Sequence, residues 1–206
     1  MNNKVNNVGE LHADATNLYN KVVVGSDSTS ADSLINNLVA GINNLKTNWK
    51  GRDAGVQIQN LVGVHNALVG IRNALASLAV DSSKVAVNYR DIQRANGATD
   101  LEQLGAVSAD TKSMMENYSD TSDTVNINQA ANEGKAKIDA ANGAMDGFIS
   151  QVSTYYNNIM NNWTQGTGRD NATQAFEQFI SSSKTYKETL SSVSQSIATA
   201  LSNYSF

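Results

Sequence analysis

Side chains able to transfer protons, ligate metals or attack as nucleophiles are few and scattered in this sequence. His12 and His65 are the only histidines among 206 residues. They stand on different segments with no carboxylate at metal-ligand spacing, so neither acid–base nor metal chemistry is expected of them. Gly166-Thr167-Gly168 has the composition of a phosphate loop. It lacks the preceding strand and the Gly-Lys-Ser/Thr ending that cradle a phosphate, and it reads as a turn. There is no cysteine, hence no disulfide framework and no thiolate. Asn-x-Ser/Thr at Asn117, Asn162, Asn171 and Asn203 is what chance gives in an Asn-rich chain. No triad, carboxylate pair or nucleotide site stands out, so the expectation is a protein that is not an enzyme, with no catalytic residue, cofactor or metal.

What does recur is a set of recognition-type residues. Asn43-Asn44 and Asn48-Trp49 reappear as Asn157-Asn158 and Asn162-Trp163, and Gly51-Arg52-Asp53 reappears as Gly168-Arg169-Asp170. The chain has two tryptophans, and both fall at this point. That is an internal duplication with a period of roughly 115 residues. An indole at the end of one helix can plate the first turn of the next once the chain reverses. The reversal needs a positive φ, which glycine supplies at little cost. Asp53 and Asp170 then fall in the first helical turn, where negative charge suits the free amides; Thr167 and Asp170 also have capping-box spacing. Each Trp is either a buried staple or part of an exposed recognition patch. Each Arg-Asp pair is either a first-turn surface charge or a partner contact.

The elements positioning these corners are helical. There is no proline, hydrophobic residues make up 40% and aromatics 6%, a composition suited to long uninterrupted helices. Residues 52–95 carry Leu61, Val64, Leu68, Ile71, Leu75, Leu78, Val85, Tyr89 and Ile92 at three-four spacing, with Ile58, Val62, Val69 and Val80 beside them. Residues 169–204 repeat the pattern through Phe176, Phe179, Tyr186, Leu190, Val193, Ile197, Leu201 and Tyr204. Upstream of the second Trp, residues 127–162 place Ile138, Met145, Phe148, Val152, Tyr155 and Ile159 on one face. Upstream of the first, Leu34, Leu38, Ile42 and Leu45 do the same. Residues 25–30, GSDSTS, interrupt that first helix into about 5–24 and 30–48, with Gly25 as a left-handed stop and Thr29 and Asp32 as a capping box. Gly41, Gly63 and Gly70 would let helices approach closely. Asn96-Gly97 reads as a turn, residues 100–118 as partly helical, and 119–124 as a polar loop.

Trp-x-Gly between two helices of about forty residues resembles the WXG100 (Esx-like) family of type VII secretion. Trp49-Lys50-Gly51 matches that motif; Trp163-Thr164-Gln165-Gly166 carries one residue more. The resemblance spans nearly the whole chain as two hairpins, 1–95 and 126–206, with a linker at 96–125. It implies an all-α protein of two long antiparallel helical hairpins in tandem, paired within the chain as a four-helix bundle. It implies a protein of Gram-positive bacteria, secreted without a cleavable signal peptide as an export substrate or as a carrier for an effector. Its partners would be the type VII secretion machinery and an effector or another WXG100-like protein. The partner-binding candidates are Trp49, Gly51, Arg52, Asp53, Trp163, Gly166, Gly168, Arg169 and Asp170. The family's Tyr-x-x-x-Asp/Glu export signal is not found: Gln93 stands four residues after Tyr89, and the sequence stops two residues after Tyr204.

Charge narrows the alternatives. Net charge is −4 with no basic cluster, which argues against nucleic acid and anionic lipid. No run approaches the roughly 18 apolar residues of a membrane span, and the N-terminus lacks a signal peptide's apolar core. Residues 56–80 are long and nearly uncharged, but Arg72, His65 and several Asn interrupt them, so lining a bundle core is expected. A membrane-active helical toxin and a structural helical-bundle module are the alternatives. The thirty-residue linker is long enough to travel the bundle's length, which favours hairpins with their corners at opposite ends.

Overall fold

A computed structural model describes residues 3–123 and 125–204, the side chain of Tyr204 excepted. The chain is dominated by α-helices: α1 (Val8–Asn17), α2 (Ala31–Asn48), α3 (Arg52–Ala95), α4 (Ala131–Asn162) and α5 (Thr167–Tyr204). A π-helical turn, Leu18–Val23, continues α1. Among the described residues, four short strands accompany them: β1 (Lys4–Val5), β2 (Trp49–Lys50), β3 (Asn126–Ile127) and β4 (Trp163–Gln165). The main packing partners are α2 with α4, α3 with α5, and α1 with α3.

The helical faces fall where the apolar spacing puts them. Leu34, Leu38, Ile42 and Leu45 of α2 are fully buried, as are Ile138, Met145, Phe148, Val152 and Ile159 of α4. The α3 seam is buried from Leu61 through Val85 and runs out at Ile92, which is exposed. On α5, Phe179, Leu190, Val193, Ile197 and Leu201 are buried; the side chain of Tyr204 lies outside the described residues. Aromatic contacts tie α4 to α5, with Tyr156 stacked on Phe176 at 4.0 Å and Phe148 edge-on to Phe179 at 5.5 Å. Gly41 meets the backbone of Gly134 closely, so α2 and α4 approach there; Gly63 and Gly70 face open space instead.

The first helix is split as its sequence requires, with different details. The N-cap of α2 is Ser30, whose hydroxyl accepts from the Ser33 amide, rather than Thr29. Thr29 instead accepts a hydrogen bond from Gln151 of α4. Asp32 is drawn to the buried Arg72 at 3.1 Å. Gly25 does not adopt a positive φ; a side chain there would strike the Lys21 carbonyl oxygen. The Asn96-Gly97 turn closes α3 in a Schellman arrangement, with Gly97 at φ 100° and its amide and that of Ala98 bonded to the carbonyls of Arg94 and Gln93.

The connection between the halves overturns an expectation. Residues 100–118 are not helical. They run extended and antiparallel along α3 as a strap. Arg94 and Arg90 donate to the carbonyls of Leu101 and Glu102, and the Val107 amide donates to Ser83. At the far end the Gly51 amide donates to Asp120. Length explains the conformation. The roughly 43 residues between Gly51 and Arg94 rise about 65 Å in a helix. The roughly 19 steps from Leu101 to Asp120 cover that distance only when extended.

Three amides on α3 hold the strap by its main chain. Asn73 accepts from the Lys112 amide and donates to the Lys112 carbonyl, both at 2.9 Å. Asn66 does the same to Met115, at 2.8 and 2.9 Å. Gln59 accepts from the Tyr118 amide at 2.6 Å and donates to the Asn117 side chain. Seven helical residues rise about 10.5 Å and three extended residues about 10 Å. A heptad of amides therefore stays in register with every third strap residue. Leu104, Val107, Met115 and Tyr118 turn inward against the core.

Arg72 is the central peg. It is fully buried and donates to Asp32, to Asp110 Oδ1 at 2.5 Å and to the Asp110 carbonyl at 2.6 Å. Burial alone would lower its pKa, but these hydrogen bonds outweigh it and hold the guanidinium above its usual range.

Two outcomes follow for the strap. Replacing Asn73 by Ala leaves the Lys112 main chain unpaired and is expected to cost about 1–3 kcal/mol in urea unfolding, with faster exchange of the Lys112 amide. Asp110, bonded by Arg72, and Asp120, bonded by Ser122 and the Gly51 amide, are held below the ordinary aspartate range. Their contribution is complete above the unfolded value of about 3.9. It is lost as pH falls through the lower docked values. Protection of the Lys112 and Met115 amides, taken relative to the free-peptide exchange rate at each pH, should therefore fall below about pH 3.9 before helical circular dichroism declines. Simultaneous loss of both signals would contradict a separately opening strap.

Candidate functional site: the two tryptophan corners

Both tryptophans are buried, Trp49 at 3% and Trp163 at 2% exposure, so each indole is first a staple. Each lies where one long helix ends and the next begins. Gly51 (φ 115°, ψ 167°) directly precedes α3, and Gly166 (φ 155°) directly precedes α5. Those backbone angles favour glycine. At the second corner the indole leans on the turn so closely that a Cβ on Gly166 would lie 2.6 Å from its ring. One on Gly168 would lie 3.1 Å from the ring and 2.7 Å from the Asp81 carboxylate. Gly168 thus lets the first turn of α5 pack between Trp163 and α3.

These positions correct the alignment of the repeats. Gly166, and not Gly168, is the counterpart of Gly51, because it holds the positive φ before the helix. Arg169 and Asp170 therefore sit deeper in their helix than Arg52 and Asp53. Arg169 donates from Nε to the Trp163 carbonyl at 3.0 Å and pairs with Asp170 at 3.3 Å. Arg52 is exposed and reaches Asp123 of the strap. Asp53 is exposed at the corner surface. Thr167 is the first residue of α5 rather than its cap.

Each corner is clasped by the strand leading into the other half. Trp49 and Lys50 pair antiparallel with Ile127 and Asn126, ahead of α4. Trp163 and Gln165 pair with Val5 and Lys4, ahead of α1. The extra residue of the second motif is absorbed here: Thr164 bulges out, because consecutive Lys4 and Val5 oppose Gln165 and Trp163. The Asn before each Trp joins the clasp. The Asn128 amide donates to the Asn48 carbonyl at 3.1 Å, and the Asn6 amide donates to the Asn162 carbonyl at 2.8 Å. Trp163 Nε1 donates to Asn3 at 3.2 Å. Asn3, Asn6, Ile127 and Asn128 were not among the expected site residues. Their one signal is the Asn that precedes both tryptophans.

The corners differ in their surroundings. A groove of about 540 Å³ opens at the first, bordered by Trp49, Asp53, Val56, Val125, Ser196 and Thr199. Val56 and Val125 are 54% and 46% exposed there. The second corner has a groove of about 340 Å³ bordered by Asn3, Asp81, Lys84, Asn88, Trp163 and Thr167. The first adds two exposed valines to a largely polar lining, whereas the second is lined mainly by polar and charged groups. The histidines lie apart: His12 bonds the Gly105 carbonyl at 2.6 Å, and His65 is buried beside Asn66. Among the described residues, no group of three or more His, Cys, Asp or Glu could hold a metal ion. None of their helices is long and apolar enough to cross a membrane.

Comparison with family models, with curated proteins and with solved structures finds no match in any of the three.

Truncating either indole to Ala removes a large buried side chain and is expected to cost about 3–5 kcal/mol in denaturant unfolding. Gly51→Ala, which forces a side chain onto its backbone angles, should cost about 1–3 kcal/mol. Costs below about 1 kcal/mol for both Trp variants would contradict the staple role.

Proposed function

We propose that this chain is a tandem WXG100-like helical protein exported by a type VII secretion system, as a substrate or as a carrier for an effector. Residues 1–95 and 126–206 are its two hairpins, which pair as a four-helix bundle within one polypeptide. The observation that carries this reading is the corner itself. A buried Trp is followed by a glycine in a glycine-favoured conformation that opens a long helix, and the arrangement occurs twice, each corner clasped by the opposite half. Function is binding through helical faces, without chemistry.

In this reading the intramolecular pairing takes the place of a second hairpin subunit. The surfaces left for partners are the outer helical faces and the first corner. Val56, Val125 and Asp53 support the first corner as the docking face, because two exposed apolar side chains lie there beside a carboxylate within a polar rim.

The test is export from the native host. Protein in the culture supernatant should disappear when the secretion ATPase is deleted, while a cytosolic lysis marker stays unchanged. Val56→Asp alters an exposed side chain, so it should leave the unfolding midpoint within about 0.5 kcal/mol of wild type and reduce export several-fold. Equal supernatant levels with and without the ATPase would refute the proposal.

A further inference from the structure

We propose that the groove holding the strap is an exchangeable peptide site, and that an extended acidic segment of another protein binds there in the strap's place. This goes beyond the export reading and does not depend on it.

The groove reads main chain. Gln59, Asn66 and Asn73 contact amides and carbonyls that any residue possesses. Asn66 and Asn73 each use both hydrogen-bonding capacities of the side-chain amide on one residue of the bound strand. An extended peptide of other sequence would meet the same groups at the same three-residue interval.

The groove also selects charge. Residues 100–123 carry Asp100, Glu102, Asp110, Glu116, Asp120 and Asp123 against Lys112, a net of −5. The whole chain is −4, so the remainder is +1. Facing the strap are the cations Arg52, Arg72, Arg90 and Arg94 of α3 and Lys46 of α2, against one carboxylate, Asp32 of α2, which takes the strap's single Lys112 at 3.6 Å. Arg72 reads a carboxylate and the carbonyl of the same residue. Lys46 lies 5.0 Å from the ring centre of Tyr118, eight residues further on. The preferred ligand is thus an extended chain with a carboxylate eight residues before an aromatic ring.

The strap is built to leave. Most of its side chains are exposed, Met114 at 60% among them, and it has no secondary structure of its own. Its hold is a row of polar contacts and a few half-buried apolar side chains, with none of its residues fully buried, the kind of segment that opens first. Tethered at both ends, it competes with a free peptide at an effective concentration on the order of millimolar. Binding in trans should therefore be weak until the strap is loosened.

The probe is a fluorescent synthetic peptide of residues 100–123. The host is the full-length chain carrying Asp110→Ala and Tyr118→Ala, which weaken the strap and leave the groove intact. Anisotropy should show the peptide binding this host at least about tenfold more tightly than wild type. Adding Asn66→Ala and Asn73→Ala to the host should remove that gain. An unrelated acidic peptide with Asp and Tyr at the same spacing should compete. Equal affinity for host and wild type, or binding indifferent to the amide ladder, would overturn the proposal. Displacement by an oligothymidylate as effective as the peptide would also overturn it, by showing a general anion site. Should the host lose its helical signal, the wild-type chain still decides. Excess peptide should accelerate exchange of the Lys112 and Met115 amides, and unchanged exchange would refute the idea.

Discussion

Ala95 and Asn126 lie at opposite ends of α3, because Asn126 pairs with Lys50 at the corner where that helix starts. The chain between them must travel the helix's whole length. With about twenty residues doing the travelling, extension is the one conformation that reaches. An extended strand with no sheet to join exposes its amides and carbonyls. The groove answers with side-chain amides at heptad spacing, whose rise nearly equals three residues of extended chain. The strap's three-residue burial pattern and the polar residues on α3 both follow from that match.

The same constraint accounts for the polar groups inside α3. In an apolar helix, Arg72, Asn66, Asn73 and Ser83 look like interruptions. In place they are pegs for the strap, and each has its partner there. A buried guanidinium is tolerable only with carboxylates and carbonyls around it. Asp32 comes from α2 and Asp110 from the strap, so this buried charge links the first half to the linker. The corners show a parallel economy. Each clasp uses main-chain pairing between halves, and a bulge at Thr164 fits an inserted residue without moving the tryptophan.

Much of this was legible from residue types. Three-four spacing located the long helices, the GSDSTS break was real, and both tryptophans mark corners. What residue types do not reveal rests on main-chain recognition. Leu101, Leu104 and Val107 at intervals of three read equally as one face of a helix or as one edge of an extended strand. Length against distance decides between them, and the distance is known only once the far end is anchored at Lys50. Strands of two or three residues leave little pattern, so the reciprocal clasps were invisible apart from the repeated Asn-Trp. The Gly-Arg-Asp repeat misled, because resemblance of residues placed Gly168 where backbone conformation places Gly166.

The most direct test of the account is the length of the strap. The chain has no cysteine, so spin labels can be attached cleanly at Gln103→Cys and Thr121→Cys, two exposed positions on the strap. Pulsed electron–electron resonance should then report a distance of about 60 Å, the span of an extended segment of that length. A distance below about 40 Å would mean that the linker is substantially helical. The strap, its groove and the placement of the corners at opposite ends of α3 would then be wrong together.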